Sequence, residues 1–219
     1  MSYVPANNNI RWKDKVGGSR TVFEGNVKTR VGGAEIAVSE LPEYPNVLPM
    51  GTPIYQDEIA RVTTVHYEFE VAEAANSVTE VKIAKGPEGT RIKKGMALMV
   101  EQTSMETGVS AVNTVVSVDS SNADYDIVTL DASATFKAGA ILWEANPTPK
   151  SSKYYVKVKP NGLTDVDLVA VPGTYSVKCA SVYFSDSPIM LRRLPVISKV
   201  VRKYMNQEEF CYFNWAEHK

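Results

Sequence analysis

From Thr63 to Val71 the chain alternates with a period of two. Thr63, Val65, Tyr67, Phe69 and Val71 fall on one side, and Thr64, His66, Glu68 and Glu70 on the other. This spacing predicts a β-strand with one apolar face and one wet face, His66 and Glu68 standing in water. Val78 to Lys85 repeats the pattern, with Val81 and Ile83 inward and Glu80 and Lys82 outward. Further strands are expected at Ala97–Glu101, Val112–Val118, Tyr125–Leu130 and Ile141–Glu144, separated by turn residues such as Gly86-Pro87-Glu88-Gly89, Gly95 and Gly139. Short strands with frequent turns predict a mainly β fold: a small antiparallel β-barrel or sandwich over residues 47–146.

The flanks read differently. Residues 1–46 hold few large apolar side chains and two glycine pairs, Gly17-Gly18 and Gly32-Gly33. They predict an extended N-terminal arm, with short strand segments at Thr21–Phe23 and Asn26–Val31, that packs on the rest of the chain, docks on a partner or stays a partly ordered tail. Residues 147–219 predict strands at Tyr154–Lys159 and Thr174–Phe184. Ser187-Pro188 has the form of a helix start, and Leu194, Ile197, Val201 and Tyr204 lie at helical spacing, with Pro195 expected to kink or restart the helix. A short C-terminal helix is therefore expected. Phe210, Tyr212, Phe213 and Trp215 then crowd four aromatics into six residues, as a final strand or as a surface buried by a partner.

Composition supports strands: 29 of the 219 residues are valine and 15 are threonine. The net charge of −1 argues against a globally basic nucleic-acid binder. By segment it divides into +1 for residues 1–46, −7 for 47–146 and +5 for 147–219, an acidic body between a near-neutral arm and a basic end. No window is apolar enough to span a membrane, and the N-terminus lacks the pattern of a signal peptide, so synthesis in a cytoplasm is expected. Two cysteines 32 residues apart, Cys179 and Cys211, read as buried reduced thiols.

Candidate chemistry is sparse. His66 has no nucleophile motif or second ligand nearby, and His218 stands next to the C-terminus. Asn122-x-Asp124-x-Asp126 begins like a calcium loop, but Ile127 and Ser133 stand where glycine and glutamate are required, so a turn is expected. Lys15-Val16-Gly17-Gly18-Ser19 lacks phosphate-loop spacing. The basic run from Arg192 to Lys203 has no stacking aromatics at base-binding spacing. No catalytic residues, metal ligands or cofactor are assigned. Partner-binding candidates are the aromatic and basic residues of the two ends: Trp12, Phe23, Arg192, Arg193, Phe210, Tyr212, Phe213 and Trp215.

Five short motifs, in order, resemble the head fibre and head decoration proteins of tailed bacteriophages. They are Leu48-Pro49-Met50-Gly51-Thr52-Pro53-Ile54, Ile92–Leu98, Asp119–Asp126, Phe136–Leu142 and Leu191–Ile197. Met96 departs from the pattern, where a polar residue is expected. The resemblance covers roughly residues 47–197; the arm and the tail after 205 fall outside it. It implies a non-enzymatic virion structural protein, made in the host cytoplasm, that binds the capsid exterior. The implied partners are the major capsid protein, further copies in a homotrimer and other head fibre chains, without nucleic acid or membrane. The competing class is a carbohydrate-binding or adhesin module, with Tyr125, Trp143, Tyr154 and Tyr155 as sugar platforms.

Overall fold

The structure, a computed structural model, describes residues 22, 23, 25–30, 33–86, 88–207 and 211–216. The first strands are β1 (Val27–Thr29), β2 (Ala34–Ala37), β3 (Val47–Leu48), β4 (Pro53–Asp57) and β5 (Val62–Val65). There follow β6 (Glu68–Glu70), β7 (Ala75–Ala84), β8 (Ala97–Val100), β9 (Asn113–Asp119), β10 (Tyr125–Phe136) and β11 (Ile141–Ala145). The last part holds β12 (Gly162–Thr164), β13 (Leu168–Val169), β14 (Ser176–Cys179), β15 (Ser181–Met190), helix α1 (Lys199–Gln207) and β16 (Tyr212–Ala216). The fold is mainly β, with curled sheets and one short C-terminal helix.

Strands β6 to β11 form one antiparallel sheet in the order β6-β11-β8-β9-β10-β7. Its ends meet: Val71, just after β6, bridges Ile83 of β7, and the Ala72 amide donates to the Lys82 carbonyl at 2.9 Å. The result is a closed six-stranded barrel over residues 68–145. Phe69, Val81, Ile83, Leu98, Val128 and Leu142 fill it. Each such burial contributes about 1.5–3 kcal/mol.

The second sheet runs β1-β15-β12-β4-β5-β2-β14, with β16 added in parallel to β15. It cannot be flat. Cys179 in β14 and Ser181 in β15 are two residues apart, a reach of about 7 Å. The hydrogen-bonded path from β15 to β14 crosses five strand gaps, about 24 Å if flat. The sheet therefore curls until β1 and β2 run along β15 and β14 as two long antiparallel strands. The Arg30 amide, donating to the Ser181 carbonyl at 2.9 Å, continues the ladder across the break.

This ring takes strands from 27–37, 53–65 and 162–190, so its boundaries differ from the three segments expected from composition. The barrel is an insertion between its halves. Of the expected arm, Val27–Thr29 and Ala34–Ala37 are sheet strands, while Glu24, Val31, Gly32 and everything up to Thr21 lie outside the described residues. Val22 and Phe23 are not in a strand; they pack on the second core.

Other expectations are corrected. Residues 63–71 hold two strands, and the face expected to be wet is covered at its centre: His66 and Glu68 are buried, Thr64 and Glu70 half-buried. Tyr154–Lys159 is not a strand but makes two isolated bridges, Tyr154 to Val109 and Val156 to Ala145. Ser187-Pro188 lies inside β15, where the register against β16 shifts and the missing proline N–H costs no ladder bond. The helix begins later. Ser198 caps it, its Oγ accepting the Val201 amide at 3.3 Å, and Val201 and Met205 form its buried stripe. The tail forms a final strand, β16.

The motif at 48–54 leads into β4 and makes a joint within the ring, against β12 and Leu194. Gly51 has φ +82°, which glycine adopts without strain. Its amide donates to the Thr164 carbonyl at 2.9 Å, and Thr52 Oγ donates to the Pro49 carbonyl at 2.6 Å. A Cβ on Gly51 would overlap Leu194 Cδ2, so the first and last motifs pack on each other.

Candidate functional site

Two polar assemblies lie between the layers, the first buried and the second half-buried. Barrel strands β8 and β11 carry apolar side chains on both faces: Leu98 and Leu142 point into the barrel, while Met99 and Trp143 pack on β15 and α1. Trp143 is fully buried, and its indole N–H needs an acceptor. Glu68 supplies it: Oε1 accepts Trp143 Nε1 at 2.7 Å, and Oε2 accepts the Ser198 amide at 2.8 Å. His66 Nδ1 lies 3.0 Å from the Val158 carbonyl, and Nε2 lies 3.8 Å from Glu68 Oε1. His66, Glu68, Trp143 and Ser198 thus tie barrel, ring and helix together.

The second assembly centres on Lys157, whose ammonium bonds Glu40 at 2.9 Å and Glu144 at 3.1 Å. Burial raises the Glu144 carboxyl above its ordinary range, against the pull of Lys157. Burial opposes the charge on Lys157, but Glu144 and Glu40 outweigh it and hold its pKa up. Burial lowers Lys93, which donates to the Ser39 and Leu41 carbonyls. Tyr67 is raised by burial and donates its hydroxyl to the Glu40 carbonyl at 2.6 Å. Each member is committed to a neighbour, so the assembly fastens the connector 38–41 to the barrel.

The 119–126 segment is a turn. Asp119 accepts the Ser121 amide and Asn122 the Asp124 amide, at 2.9 and 2.8 Å. The Lys85 ammonium contacts Asp126 Oδ1 at 2.7 Å and the Ser120 and Asn122 carbonyls at 2.9 and 2.7 Å. A lysine fills the position that the calcium pattern would give to an ion. Both cysteines are free and buried, and burial pushes the Cys179 thiol up to about 12.

Of the partner-binding candidates, Trp12 and Phe210 lie outside the described residues, as do His218 and Lys15–Ser19. Phe213 is buried, and Phe23 and Trp215 pack partly against the same core, with the Phe213 and Trp215 rings 5.2 Å apart. Arg192 is exposed and Arg193 half-buried, on the turn after β15. Tyr212 is exposed and leans on Phe184, ring centres 5.7 Å apart, with Lys28 Nζ 5.1 Å from the Phe184 ring on the other side. Among the sugar-platform candidates, Trp143 is excluded by its burial, Tyr125 lies under Lys82 at 4.8 Å, and Tyr154 and Tyr155 are half-buried.

A cleft of about 670 Å³ opens at the mouth of the ring, where the β4–β5 turn meets β1. Arg30, Gln56, Glu58, Arg61, Asn161 and Tyr183 line it. Arg30 bonds Glu58 at 3.2 Å and the Asn161 carbonyl at 3.1 Å. Asp57 Oδ1 accepts the Ile59 and Ala60 amides, both at 2.9 Å, and so tightens the turn that presents Glu58 and Arg61. The sequence gives no signal for this cleft: the turn contains no glycine or proline, and its lining comes from four separated stretches. No family model, curated protein or solved structure matches this chain.

Proposed function

We propose that this protein is a non-enzymatic virion structural protein, binding the outer surface of a phage capsid as a head fibre or decoration protein. Its partner is the major capsid protein, and it acts as a homotrimer. The five ordered motifs support this reading, and one structural observation carries it: the first and last described strands both pair with β15. Strand β1 pairs along one edge and β16 along the other, so Lys28, Phe184 and Tyr212 stand in a row on one face. An aromatic and basic row across three neighbouring strands suits docking by many modest contacts, multiplied by trimer valency.

The test adds purified protein to undecorated capsids and measures occupancy. Lys28→Glu with Tyr212→Ser is expected to reduce occupancy while the protein stays folded, and deletion of residues 1–21 reports on the arm. Deletion through residue 45 would remove β1 and β2 from the sheet and so could not distinguish docking from folding. Full occupancy by both variants would refute this face as the anchor, and a monomer in sedimentation equilibrium would refute the trimer.

A further inference from the structure

The β-ring carries unpartnered polar groups beneath its mouth. The register pairs Gln56 with Thr63, Ile54 with Val65 and Gly162, and Thr164 with Ser181, placing Gln56, Thr63 and Ser181 on one inward face. Their exposures are 3%, 1% and 0%. Gln56 Oε1, Thr63 Oγ1 and Ser181 Oγ have no hydrogen-bond partner among the described residues. A buried polar atom left unpaired costs about 1–3 kcal/mol; of the three, Gln56 alone lines the cleft, and Thr63 and Ser181 lie behind it. Gln56 opens into the 670 Å³ cleft.

The rim is built for a polar guest. Arg61 is held at φ +55°, a conformation that costs a non-glycine residue energy and that clusters at ligand sites. Its carbonyl accepts the Glu35 amide at 3.0 Å, which holds the backbone in place. Arg30 is already engaged by Glu58 and Asn161, while Arg61 is exposed and makes no ion pair among the described residues. One guanidinium and one carboxylate therefore face the same space, with the buried Gln56 side chain at its floor. No aliphatic side chain lines it.

We propose that this cleft binds an acidic sugar, of the uronic or sialic acid class. The sugar carboxylate meets Arg61, a hydroxyl donates to Gln56 Oε1, and a second hydroxyl donates to Glu58. Such a ring offers a donor and an acceptor at each hydroxyl, matching a wall of mixed polarity, and the volume lies within the usual range for small-molecule sites. An acidic peptide fits less well. Strands β4 and β5 are each paired on both sides, so no strand edge is free there to take a peptide backbone, and apolar side chains would find no pocket. The site is independent of the capsid-docking face, and its failure would leave that proposal standing.

The test is an NMR titration of the full chain with methyl glucuronide and N-acetylneuraminate, against methyl glucoside, acetate and a glutamate-rich peptide. Saturable shifts at the Gln56, Arg61 and Asn161 amides are expected in the millimolar range, at least about tenfold weaker for the neutral sugar. Arg61→Gln is expected to erase the preference for the acidic sugars. Gln56→Met, which keeps the chain length, is expected to weaken both classes of sugar by about tenfold, with barrel amides unshifted as the check on folding. The proposal is overturned if neither acidic sugar saturates, if acetate binds as well as they do, if Arg61→Gln changes nothing, or if the peptide binds more tightly than the sugars.

Discussion

Replacing Glu68 by glutamine tests whether the buried knot holds barrel, ring and helix together. Both carboxylate oxygens accept, one from Trp143 Nε1 at 2.7 Å and one from the Ser198 amide at 2.8 Å. A carboxamide has one acceptor, and its NH2 must face one of the two donors. The change loses one hydrogen bond to a charged acceptor, worth about 1.5–3 kcal/mol, and leaves a buried donor without an acceptor, at about 1–3 kcal/mol. Since the two terms partly describe the same bond, a net cost of about 2–4 kcal/mol is expected. With a urea m-value of roughly 2 kcal/mol/M, the unfolding midpoint should fall by about 1–2 M. Trp143→Phe removes the indole donor, so in that background Glu68→Gln should cost at least about 1 kcal/mol less. A midpoint shift below about 0.3 M, or additive single changes, would show that Glu68 does not bridge the layers.

Three further outcomes are expected. Burial raises the Cys179 thiol from 9.0 to about 12, so the unfolded chain gives up this proton first. The stability contributed by the protonated thiol is present below pH 9 and is lost as pH rises toward 12, with a slope approaching about 1.4 kcal/mol per pH unit. Urea midpoints across pH 8–11 should fall less steeply for Cys179→Ala, and equal slopes would refute the assignment. Ser151 and Ser152 have φ +50° and +60° in a two-residue turn closed by Lys150 and Lys153, so Asn-Gly in their place should raise stability by about 1 kcal/mol in a thermal melt. Gly51→Ala forces a Cβ onto Leu194 at φ +82° and should lower stability by about 1–3 kcal/mol; an unchanged melting temperature would contradict the observed joint.

How much was legible in the sequence depended on what covers each strand. In β7, Val81 and Ile83 face the barrel core while Glu80 and Lys82 face outward, so the two-residue alternation read correctly. The same alternation at 63–71 misled, because other parts of the chain cover the second face: Glu68 meets partners 75 and 130 residues away. Gly95 and Gly139 marked turns correctly, each having positive φ. Arg61 has positive φ with no local signal, since its conformation is imposed by the turn and by the pairing to Glu35.

By itself the sequence determined the mainly β class, most barrel strands, their turns and the short helix, because strand periodicity and turn chemistry are local properties. Only the tertiary structure decided that strands before and after the barrel share one ring around it as an insertion. It alone buried His66, Glu68 and Trp143 together and opened a cleft over Gln56. Those features come from pairings between distant residues, and a local pattern of polar and apolar positions cannot say which distant segment will supply the acceptor, the cover or the empty space.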